Sequence, residues 1–366
     1  MRALWLVRKN LTRHPGGDTT QILKTADALR QRGLTIELAA GRCPNLRGYD
    51  VVHLFHLDRL WENDGHCRRI RAEGRPAVLS PIYWPGDAYD RGSRAGLQGI
   101  LARTFGSNAY RNLRLIQRSM LHCLTEPNPR NWPRPLWSFR RSVQFVLNTV
   151  SVLLPNSRAE HETIERLFDV RVPAVVVPNA AAAEFDPPAE DWPGDRDGVL
   201  CVGRIEPRKN QLALIHALRG TGIGLTLAGQ AGRYSNRYFR RCRREAGSDV
   251  RFLGQRPPAD LRELYRGALV HACVSWYETP GLANLEAAAC GCAIVATPGG
   301  CTREYLGDDA CYCQPDDPGT IRRAVETAMS GGPGKDLAHR VAREFNWDAA
   351  ADKTLEAYRL ATETTP

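Results

Sequence analysis

Apolar positions in this chain form short runs that alternate with longer amphipathic segments. The chain opens with the run "RALWLV" (2–7), and after a loop the segment "TTQILKTADALRQRG" (19–33) repeats its apolar residues at the three- and four-residue spacing of a helix. Gly33 ends this helix, and "LTIELAA" (34–40) follows as a second strand. Because parallel strands need a crossover connection, this β-loop-α-β order predicts a parallel sheet covered by helices.

The alternation continues through both halves of the chain. In the first half it comprises "YDVVHLF", "PAVLSPIYW", "SVLLPNS", "RAEHETIERLF" and "PAVVVPN". The Pro/Asp/Gly-rich stretch "AAAEFDPPAEDWPGDRDG" interrupts the pattern, which restarts at "VLCVGRI". The tail "AHRVAREFNWDAAADKTLEAYRLA" predicts one helix. We therefore expect an α/β chain of two doubly wound Rossmann-like domains, residues 1–178 and 179–345, with about 346–366 packing back on the first domain.

Length and composition agree with two ordinary globular domains. At 366 residues the chain exceeds one ordinary core, and 43% of its residues are hydrophobic against 25% charged. The longest apolar-leaning run, "VQFVLNTVSVLL", is broken by polar residues and is shorter than the roughly 20 residues that span a bilayer. The N-terminus lacks a signal-peptide pattern, and the eleven cysteines include no C-x-x-C pair. We expect a cytoplasmic protein with reduced thiols.

The positive charge is concentrated in the first half. Residues 1–178 carry 27 Lys and Arg against 15 Asp and Glu, whereas the remainder carries 23 against 25. Three arginines share one face of a helix predicted over 103–121: Arg111, Arg114 and Arg118. Three apolar residues share another face: Leu113, Ile116 and Met120. Three interpretations of the basic face stay open. It is a solvated surface, it contacts the inner face of an anionic membrane, or it binds a phosphate-bearing acceptor.

Two loops of the second domain hold the strongest candidate chemistry, because ligands of open α/β sheets bind beyond the carboxyl ends of the strands. "VGRIEPRKN" brings Arg204 and Lys209 directly after a strand, and two cations there suit a diphosphate. "WYETPGLANLEAAAC" puts Glu278 at a strand mouth and Glu286 two turns inside the next helix. Alternatively, the first loop is only a solvated basic loop, and Glu278 is only an acidic residue that the helix dipole favours before the start of a helix.

Free backbone N–H groups at the start of that helix would suit a phosphate. The residues concerned are Gly281, Leu282 and Ala283. In the first domain, Gly16 and Gly17 precede a helix in "HPGGD" and form either an anion-binding turn or a plain turn. "SPIYWPGDAYD" offers sugar or acceptor contacts, or residues that close the core: Tyr83, Trp84 and Asp87.

Several of these segments, taken in order, resemble the retaining glycosyltransferases of family 4, which have the GT-B fold. They include "GGDTTQILKTADALRQRG", "LLPNSRAEHETI", "VVVPNAAAAEFDP", "VGRIEPRKN" and "ETPGLANLEAAACGCAIVATPGG". Glu278 and Glu286 match the spacing of the family's E-x7-E pair. The likeness covers nearly the whole chain. It implies two domains facing a cleft, an acceptor side in 1–178 and a nucleotide-sugar side in 179–345.

The resemblance also implies roles for individual residues. Arg204 and Lys209 would neutralise the diphosphate of a UDP- or GDP-linked sugar. Glu286 would bind the ribose hydroxyls, and Glu278 would contact the donor sugar. The adjacent glycines 16 and 17 would approach the donor phosphate. No metal and no cofactor is expected, and the sugar would move with retention to a saccharide, lipid-linked or other glycan acceptor in cell-surface polysaccharide, glycolipid or glycoconjugate synthesis.

Two departures and several alternatives accompany the resemblance. "ETPG" stands where the family usually has "EGFG", so Thr279 and Pro280 alter the wall of the sugar site. The family's usual first-domain histidine is missing after "VLSPI", and His122 cannot be assumed to replace it. A nucleotide-sugar epimerase or phosphorylase is a rival with the same fold. A catalytically inactive binding protein, or a polyanion binder acting through the basic half, is the alternative of another class. No nucleic-acid motif is present, so no nucleic acid is expected as a partner.

Overall fold

The computed structural model describes residues 1–41, 43–92, 96–126, 132–133, 138–187, 195–232, 234–279 and 281–364. The chain divides into two units. Unit 1 comprises Met1–Pro85, Ala95–Asn179 and Trp347–Pro366, and unit 2 comprises Gly86–Arg94 and Ala180–Asn346. Part of the predicted interdomain stretch, residues 188–194, and Pro280 lie outside the described residues.

Unit 1 is a five-stranded parallel sheet with helices on its faces. Its strands are β1 Arg2–Val7, β2 Thr35–Ala40, β3 Val51–Phe55, β4 Ala77–Ser80 and β5 Val152–Leu153. Its helices, numbered with those of unit 2 in chain order, are α1 Gly17–Gln31, α2 Leu60–Glu73, α4 Gly96–Thr125, α5 Phe139–Leu147, α6 Arg158–Phe168 and α14 Trp347–Thr364. The strand order is β2-β1-β3-β4-β5, and each neighbouring pair is parallel.

The strands of unit 1 are buried on both faces, which explains their nearly continuous apolar sequences. Successive residues of β1 alternate between two hydrophobic clusters, since Leu4 belongs to one cluster and Trp5 to the other. The C-terminal helix α14 packs against α1 in the second of these clusters. Its Tyr358 Oη lies 2.8 Å from Nδ1 of His53 on β3. The C-terminal helix is thus part of the first unit's core.

Unit 2 repeats the same architecture with six parallel strands. These are β6 Val199–Val202, β7 Leu225–Ala228, β8 Val250–Gly254, β9 Val270–Cys273, β10 Ala293–Ala296 and β11 Ala310–Tyr312, in the order β11-β10-β9-β6-β7-β8. The helices are α3 Asp87–Gly92, α7 Gln211–Leu218, α8 Asn236–Glu245, α9 Pro258–Gly267, α10 Leu282–Ala289, α11 Thr302–Leu306, α12 Pro318–Gly331 and α13 Lys335–Glu344. The doubly wound α/β prediction is confirmed in both units.

The structure corrects four predicted segments. "PAVVVPN" is not a strand and contributes only an isolated bridge between Ala174 and Leu153. Strand β4 ends at Ser80, so "PIYW" lies beyond it. The predicted C-terminal helix is two helices, α13 in unit 2 and α14 in unit 1, separated at 345–346. The segment 86–94, predicted within the first domain, belongs to unit 2. Apolar periodicity alone could not detect these changes, because strand pairing and packing between distant segments decide them.

Candidate functional site

Strands β6 and β9 lie side by side in unit 2, and the loops that follow them are tied together. We call residues 203–210 the basic loop and residues 274–281 the acidic loop. The backbone N–H of Trp276 donates to the carbonyl of Arg208 at 2.9 Å. Nδ2 of Asn210 donates to the carbonyl of Val274 at 3.2 Å. The two loops therefore form one surface at the carboxyl edge of the sheet.

An ion-paired cluster occupies this surface. Lys209 Nζ donates to Glu278 Oε1 at 2.6 Å, and an Arg208 nitrogen lies 3.5 Å from the same oxygen. The Glu278 side chain is only 9% exposed. Burial by itself raises the pKa of this carboxyl, but the charges of Lys209 and Arg208 outweigh burial and lower the pKa to about 2. Glu278 is therefore a carboxylate, and both cations keep their charge.

Arg204 occupies the outer part of the basic loop. Its side chain is 52% exposed, and its guanidinium lies 3.6 Å from Glu206 Oε1. Arg208 also contacts Glu206, at 3.3 Å, and donates to the carbonyl of Tyr277 at 2.8 Å. Arg208 therefore links Glu278 to Glu206, whereas Arg204 keeps the freedom of an exposed side chain.

Two glycines allow the backbone of Glu278 to lie close to a neighbouring loop. The Glu278 carbonyl accepts from the N–H of Cys301 at 2.9 Å, and its N–H donates to the Gly299 carbonyl at 3.1 Å. Gly300 has φ of 90°, and a Cβ there would lie 1.9 Å from the Glu278 carbonyl oxygen. A Cβ at Gly299 would lie 2.3 Å from the Trp276 carbonyl oxygen. The "PGG" sequence thus positions the backbone beneath the Glu278 carboxylate.

Helix α10 begins directly after the acidic loop. Gly281, at φ of 81°, precedes the first turn and supplies no side-chain cap. The first-turn N–H groups, which lack intrahelical acceptors, belong to Leu282 and Ala283 among others. The positive end of the helix dipole is at this N-terminus and faces the acidic loop, which carries Glu278. This helix start has the properties of an anion-binding site.

A buried histidine and asparagine stabilise the first turn of α10. His271 Nε2 accepts from the N–H of Val202 at 3.3 Å, so its proton resides on Nδ1, which lies 3.1 Å from Asn284 Oδ1. Burial lowers the pKa of His271 to about 3, and the ring is neutral. His271 therefore orients the helix from within the core.

Glu286 lies one turn further along α10, on the same face as Leu282 and Ala283. Its Oε2 accepts from Tyr265 Oη at 3.1 Å. Burial raises the pKa of Glu286 to about 7, against the lowering effect of the Tyr265 hydrogen bond. Glu286 therefore changes charge near neutral pH, whereas Glu278 does not.

The predicted group Tyr83, Trp84 and Asp87 is divided between the two units. Tyr83 is buried in the core of unit 1, where its ring packs against Phe168 at 5.8 Å, which is the core-closing alternative. Trp84 is half-buried. Asp87 begins α3 in unit 2, on a segment that contacts the acidic loop: a Cβ at Gly86 would lie 3.5 Å from the Tyr277 ring. Of the three, Asp87 is the one on a segment that packs against the acidic loop.

Gly16 and Gly17 lie at the start of α1 in unit 1, beside a partly buried ion pair. Arg8, at the end of β1, donates to the His14 carbonyl at 2.8 Å and pairs with Asp18. Although burial raises the pKa of Asp18, hydrogen bonds from His56 and Arg8 hold it far below its ordinary value. The contact of the two glycines with a donor phosphate stays a prediction.

The arginines of α4 do not form one exposed face. Arg111 and Arg118 are half-buried and lie over the rings of Phe139 and Trp61, at 5.8 Å and 5.9 Å. Of the three predicted arginines, Arg114 is the exposed one. Cation–π contacts with these two rings turn the side chains of Arg111 and Arg118 inward.

Sequence reasoning missed three residues of the site. Arg208 is the neighbour of Lys209 in "PRK", and its basic character was a signal that could have identified it. Glu206 lies in the same loop. Tyr265 is 21 positions from Glu286 and carries no local signal, because only the packing of α9 beside α10 brings them together.

Comparisons with known proteins identify relatives of this chain and solved structures of the same fold. Residues 183–344 match the family model described as Glycosyl transferases group 1. The chain is 26% identical over 241 residues to O-antigen chain mannosyltransferase B of Escherichia coli, covering 60% of this chain and 63% of that protein. It is 31% identical over 193 residues to D-inositol 3-phosphate glycosyltransferase of Kribbella flavida, covering 44% and 43%. Each alignment thus spans less than two thirds of the relative.

Solved structures match over almost the whole chain. Sucrose-phosphate synthase from Thermosynechococcus elongatus superposes with a TM-score of 0.74 at 16% identity and 98% coverage of both chains. HepE from Anabaena, in complex with UDP and glucose, superposes with a TM-score of 0.67 at 17% identity, covering 97% and 98%. The fold is therefore the GT-B fold of glycosyltransferases. The group 1 glycosyltransferase match falls in unit 2, which carries the basic and acidic loops.

Proposed function

We propose that this protein is a retaining, metal-independent glycosyltransferase of family 4. It transfers a sugar from a nucleotide-diphosphate sugar to a glycan or lipid-linked acceptor. The observation that carries the proposal is the convergence of Lys209 and Arg208 on Glu278 beside the uncapped start of α10. The match to group 1 glycosyltransferases over 183–344 supports it.

The diphosphate would bind between the basic loop and the start of α10. Arg204 is half-exposed and can turn toward a ligand, while Lys209 would exchange its contact with Glu278 for a phosphate oxygen. Each charge-assisted hydrogen bond of this kind is worth roughly 1.5–3 kcal/mol. The N–H groups at the start of α10 would hold a second phosphate oxygen. Gly16 and Gly17 remain proposed phosphate contacts at the start of α1.

The two glutamates would bind different parts of the donor, the ribose and the sugar. Glu286, one turn into α10, would accept hydrogen bonds from the paired ribose hydroxyls next to the phosphate. Glu278, at the mouth of β9, would face the donor sugar, with Asp87 on the neighbouring segment as a further sugar or acceptor contact. Trp84 stays a proposed acceptor contact in unit 1.

The reaction would proceed on one face of the sugar. The acceptor hydroxyl oxygen forms a bond to the anomeric carbon while the bond from that carbon to the diphosphate oxygen breaks. The departing diphosphate takes the hydroxyl proton from the same side, so the configuration is retained. Lys209 and Arg204 would stabilise the negative charge that develops on the diphosphate, and such electrostatic stabilisation is the main way in which a site of this kind lowers the barrier.

We further propose that the protein works on the cytoplasmic side, in cell-surface polysaccharide, glycolipid or glycoconjugate synthesis. All eleven cysteines are free thiols, as a reducing compartment requires. Two of the relatives described above are a mannosyltransferase of O-antigen chains and a D-inositol 3-phosphate glycosyltransferase, which supports a glycan or phosphorylated polyol acceptor. The donor would be linked to UDP or GDP.

Calorimetric binding of UDP, GDP, ADP and dTDP is the first test of this function. One of the four nucleotides should bind best to the wild type. Glu286→Ala should weaken the binding of that nucleotide roughly 10-fold through loss of the hydrogen bonds to the ribose. The matched control is Glu326→Ala, at an exposed glutamate of α12 in the same unit, which should bind like the wild type.

The outcomes separate the candidate functions. If none of the four nucleotides binds, the glycosyltransferase proposal fails and the polyanion-binding alternative takes its place. If a nucleotide binds but no sugar is released from the matching donor over a panel of glycan acceptors, the protein is an inactive relative. Equal nucleotide binding by the wild type and Glu286→Ala would contradict the proposal that Glu286 binds the ribose.

Nucleotide binding should depend on pH near neutrality. Because the pKa of Glu286 is about 7, the carboxyl is protonated below that pH and loses acceptor capacity. We therefore expect the dissociation constant to rise by up to about 10-fold between pH 8 and pH 6. Glu286→Gln should remove the part of this dependence that comes from Glu286, and only the part that comes from ionisation of the phosphate should remain in the variant. A pH profile identical in the two proteins would contradict the assignment.

A further inference from the structure

Helix α4 of unit 1 exposes a row of large apolar side chains to solvent. Six of the nine exposed large hydrophobic residues among the described residues lie between positions 113 and 132. We call five of them the apolar stripe: Leu113, Ile116, Met120, Leu121 and Leu124. Met120 is 63% exposed and Leu124 is 83% exposed. The exposed Gln117 lies within this row, but soluble proteins rarely expose so many neighbouring apolar side chains unless the surface binds something.

The stripe is a regular feature of a packed helix. On a helix of 3.6 residues per turn, its five side chains fall within an arc of about 140° and extend over about 16 Å. The opposite face is buried, since Leu115 and Ser119 are both inside the protein, and α4 packs against α2 and α5. The inner face therefore holds the helix in place, and the stripe points outward.

Charge identifies the chemistry of the occupant. Arg114 lies at the edge of the stripe and is exposed, whereas Arg111 and Arg118 lie further round the helix and are half-buried against Phe139 and Trp61. The segment 91–141 contains ten arginines and a single acid, Glu126, which is buried. The net positive charge of this segment disfavours pairing with a second copy of the same segment and favours an anionic partner.

An exposed aromatic residue lies near the end of α4. Trp132 is exposed, and its Nε1 donates to the carbonyl of Glu126 at 3.0 Å, which holds the indole near the end of α4. Amphipathic tryptophan rings favour the boundary between headgroups and acyl chains. No helix among the described residues is long and apolar enough to cross a bilayer.

We propose that α4 lies in the surface of an anionic membrane, with the apolar stripe inserted among the acyl chains and Arg114 at headgroup level. This contact differs from adsorption through arginines alone, because burial of apolar area persists when salt screens the charges. It brings unit 1 to a lipid surface, where lipid-linked acceptors are found, and it does not depend on the transfer reaction.

Co-sedimentation with vesicles tests this contact. The vesicles are phosphatidylcholine alone and a mixture of phosphatidylcholine with phosphatidylglycerol (~70:30), at low salt and at about 0.5 M NaCl. We expect binding to the anionic vesicles that falls with salt but persists at the higher concentration. The triple variant Leu113→Gln, Met120→Gln, Leu124→Gln should lower the partition coefficient at least about 10-fold.

The matched control is Leu23→Gln with Tyr234→Gln, two exposed apolar residues outside α4, which should bind like the wild type. Far-UV circular dichroism and nucleotide calorimetry verify that the variants are folded. Absence of wild-type binding, complete release at high salt, or wild-type affinity in the triple variant would each overturn the proposal. Concentration-dependent dimerisation that the triple variant abolishes, without vesicle binding, would assign the stripe to a second copy instead.

Discussion

Replacing Lys209 by alanine should weaken nucleoside diphosphate binding by roughly 10- to 100-fold. The variant should also lower kcat/KM for sugar transfer by about 10²- to 10³-fold, because a charge that stabilises the departing diphosphate is removed. Lys209 is the cation that lies 2.6 Å from Glu278, at the mouth of β6 and β9. Calorimetry with the best-binding nucleotide measures the first effect, and release of that nucleotide from its sugar donor measures the second.

A second variant distinguishes two causes of such a loss. Lys209→Ala also removes the nearest partner of the buried Glu278 carboxylate, and an unpaired buried charge is itself costly. The double variant Lys209→Ala, Glu278→Gln relieves that cost. If binding of the nucleotide recovers in the double variant, Lys209 acts only through Glu278. If it stays weak, Lys209 binds the diphosphate. Lys335→Ala, at an exposed lysine in unit 2, is the charge-matched control.

Gly300→Ala should destabilise unit 2 by about 3–5 kcal/mol. The new Cβ would lie 1.9 Å from the Glu278 carbonyl oxygen, and φ of 90° is strained for any residue with a side chain. Since that carbonyl is held by the N–H of Cys301, the backbone of the acidic loop must move. We expect the apparent Tm to fall by roughly 10 °C and nucleotide binding to be lost with it.

A control glycine separates the clash from the strain. Gly74 at the end of α2 also has positive φ, 58°, but a Cβ there would meet nothing within 4 Å. Gly74→Ala should therefore cost only the conformational strain, about 1–2 kcal/mol, with binding intact. Equal changes in apparent Tm for the two variants would show that the approach of Gly300 to Glu278 has no structural importance.

The cations of the basic loop are already paired with carboxylates of the protein. Lys209 and Arg208 both contact Glu278, and Arg208 and Arg204 both lie near Glu206. A diphosphate must therefore compete with these carboxylates, and part of its binding energy replaces existing ion pairs. For this reason we expect the measured contribution of each cation to fall below that of an isolated charge-assisted bond.

Helices were predictable almost to the residue where a cap and an apolar period coincide. Ser157 caps α6, and the predicted segment 158–168 is the helix Arg158–Phe168. Strands were predicted too long, because an apolar run continues past the last ladder hydrogen bond. "SVLLPNS" contributes only Val152–Leu153 to the sheet. Pairing with a neighbouring strand, which the sequence does not record, decides where each strand ends.

The candidate site was predictable in part for the same reason. Loops that follow adjacent parallel strands meet at one edge of the sheet, so Lys209 and Glu278 could be expected near each other. The helix that begins after Gly281 made the positions of Leu282, Ala283 and Glu286 predictable. Arg111 and Arg118 illustrate the opposite case. Their helical spacing is correct, but contacts with Phe139 and Trp61 turned them from a common exposed face.

The sequence by itself determined the two doubly wound domains, because apolar runs and capped amphipathic helices depend on local periodicity. It also determined which loops carry charge beside the strand ends. The tertiary structure alone decided that Glu278 is an ion-paired carboxylate while Glu286 titrates near pH 7, because burial and the partners Lys209 and Tyr265 come from other elements. It likewise decided which face of α4 is exposed, since packing against α2 and α5 selects the inner face.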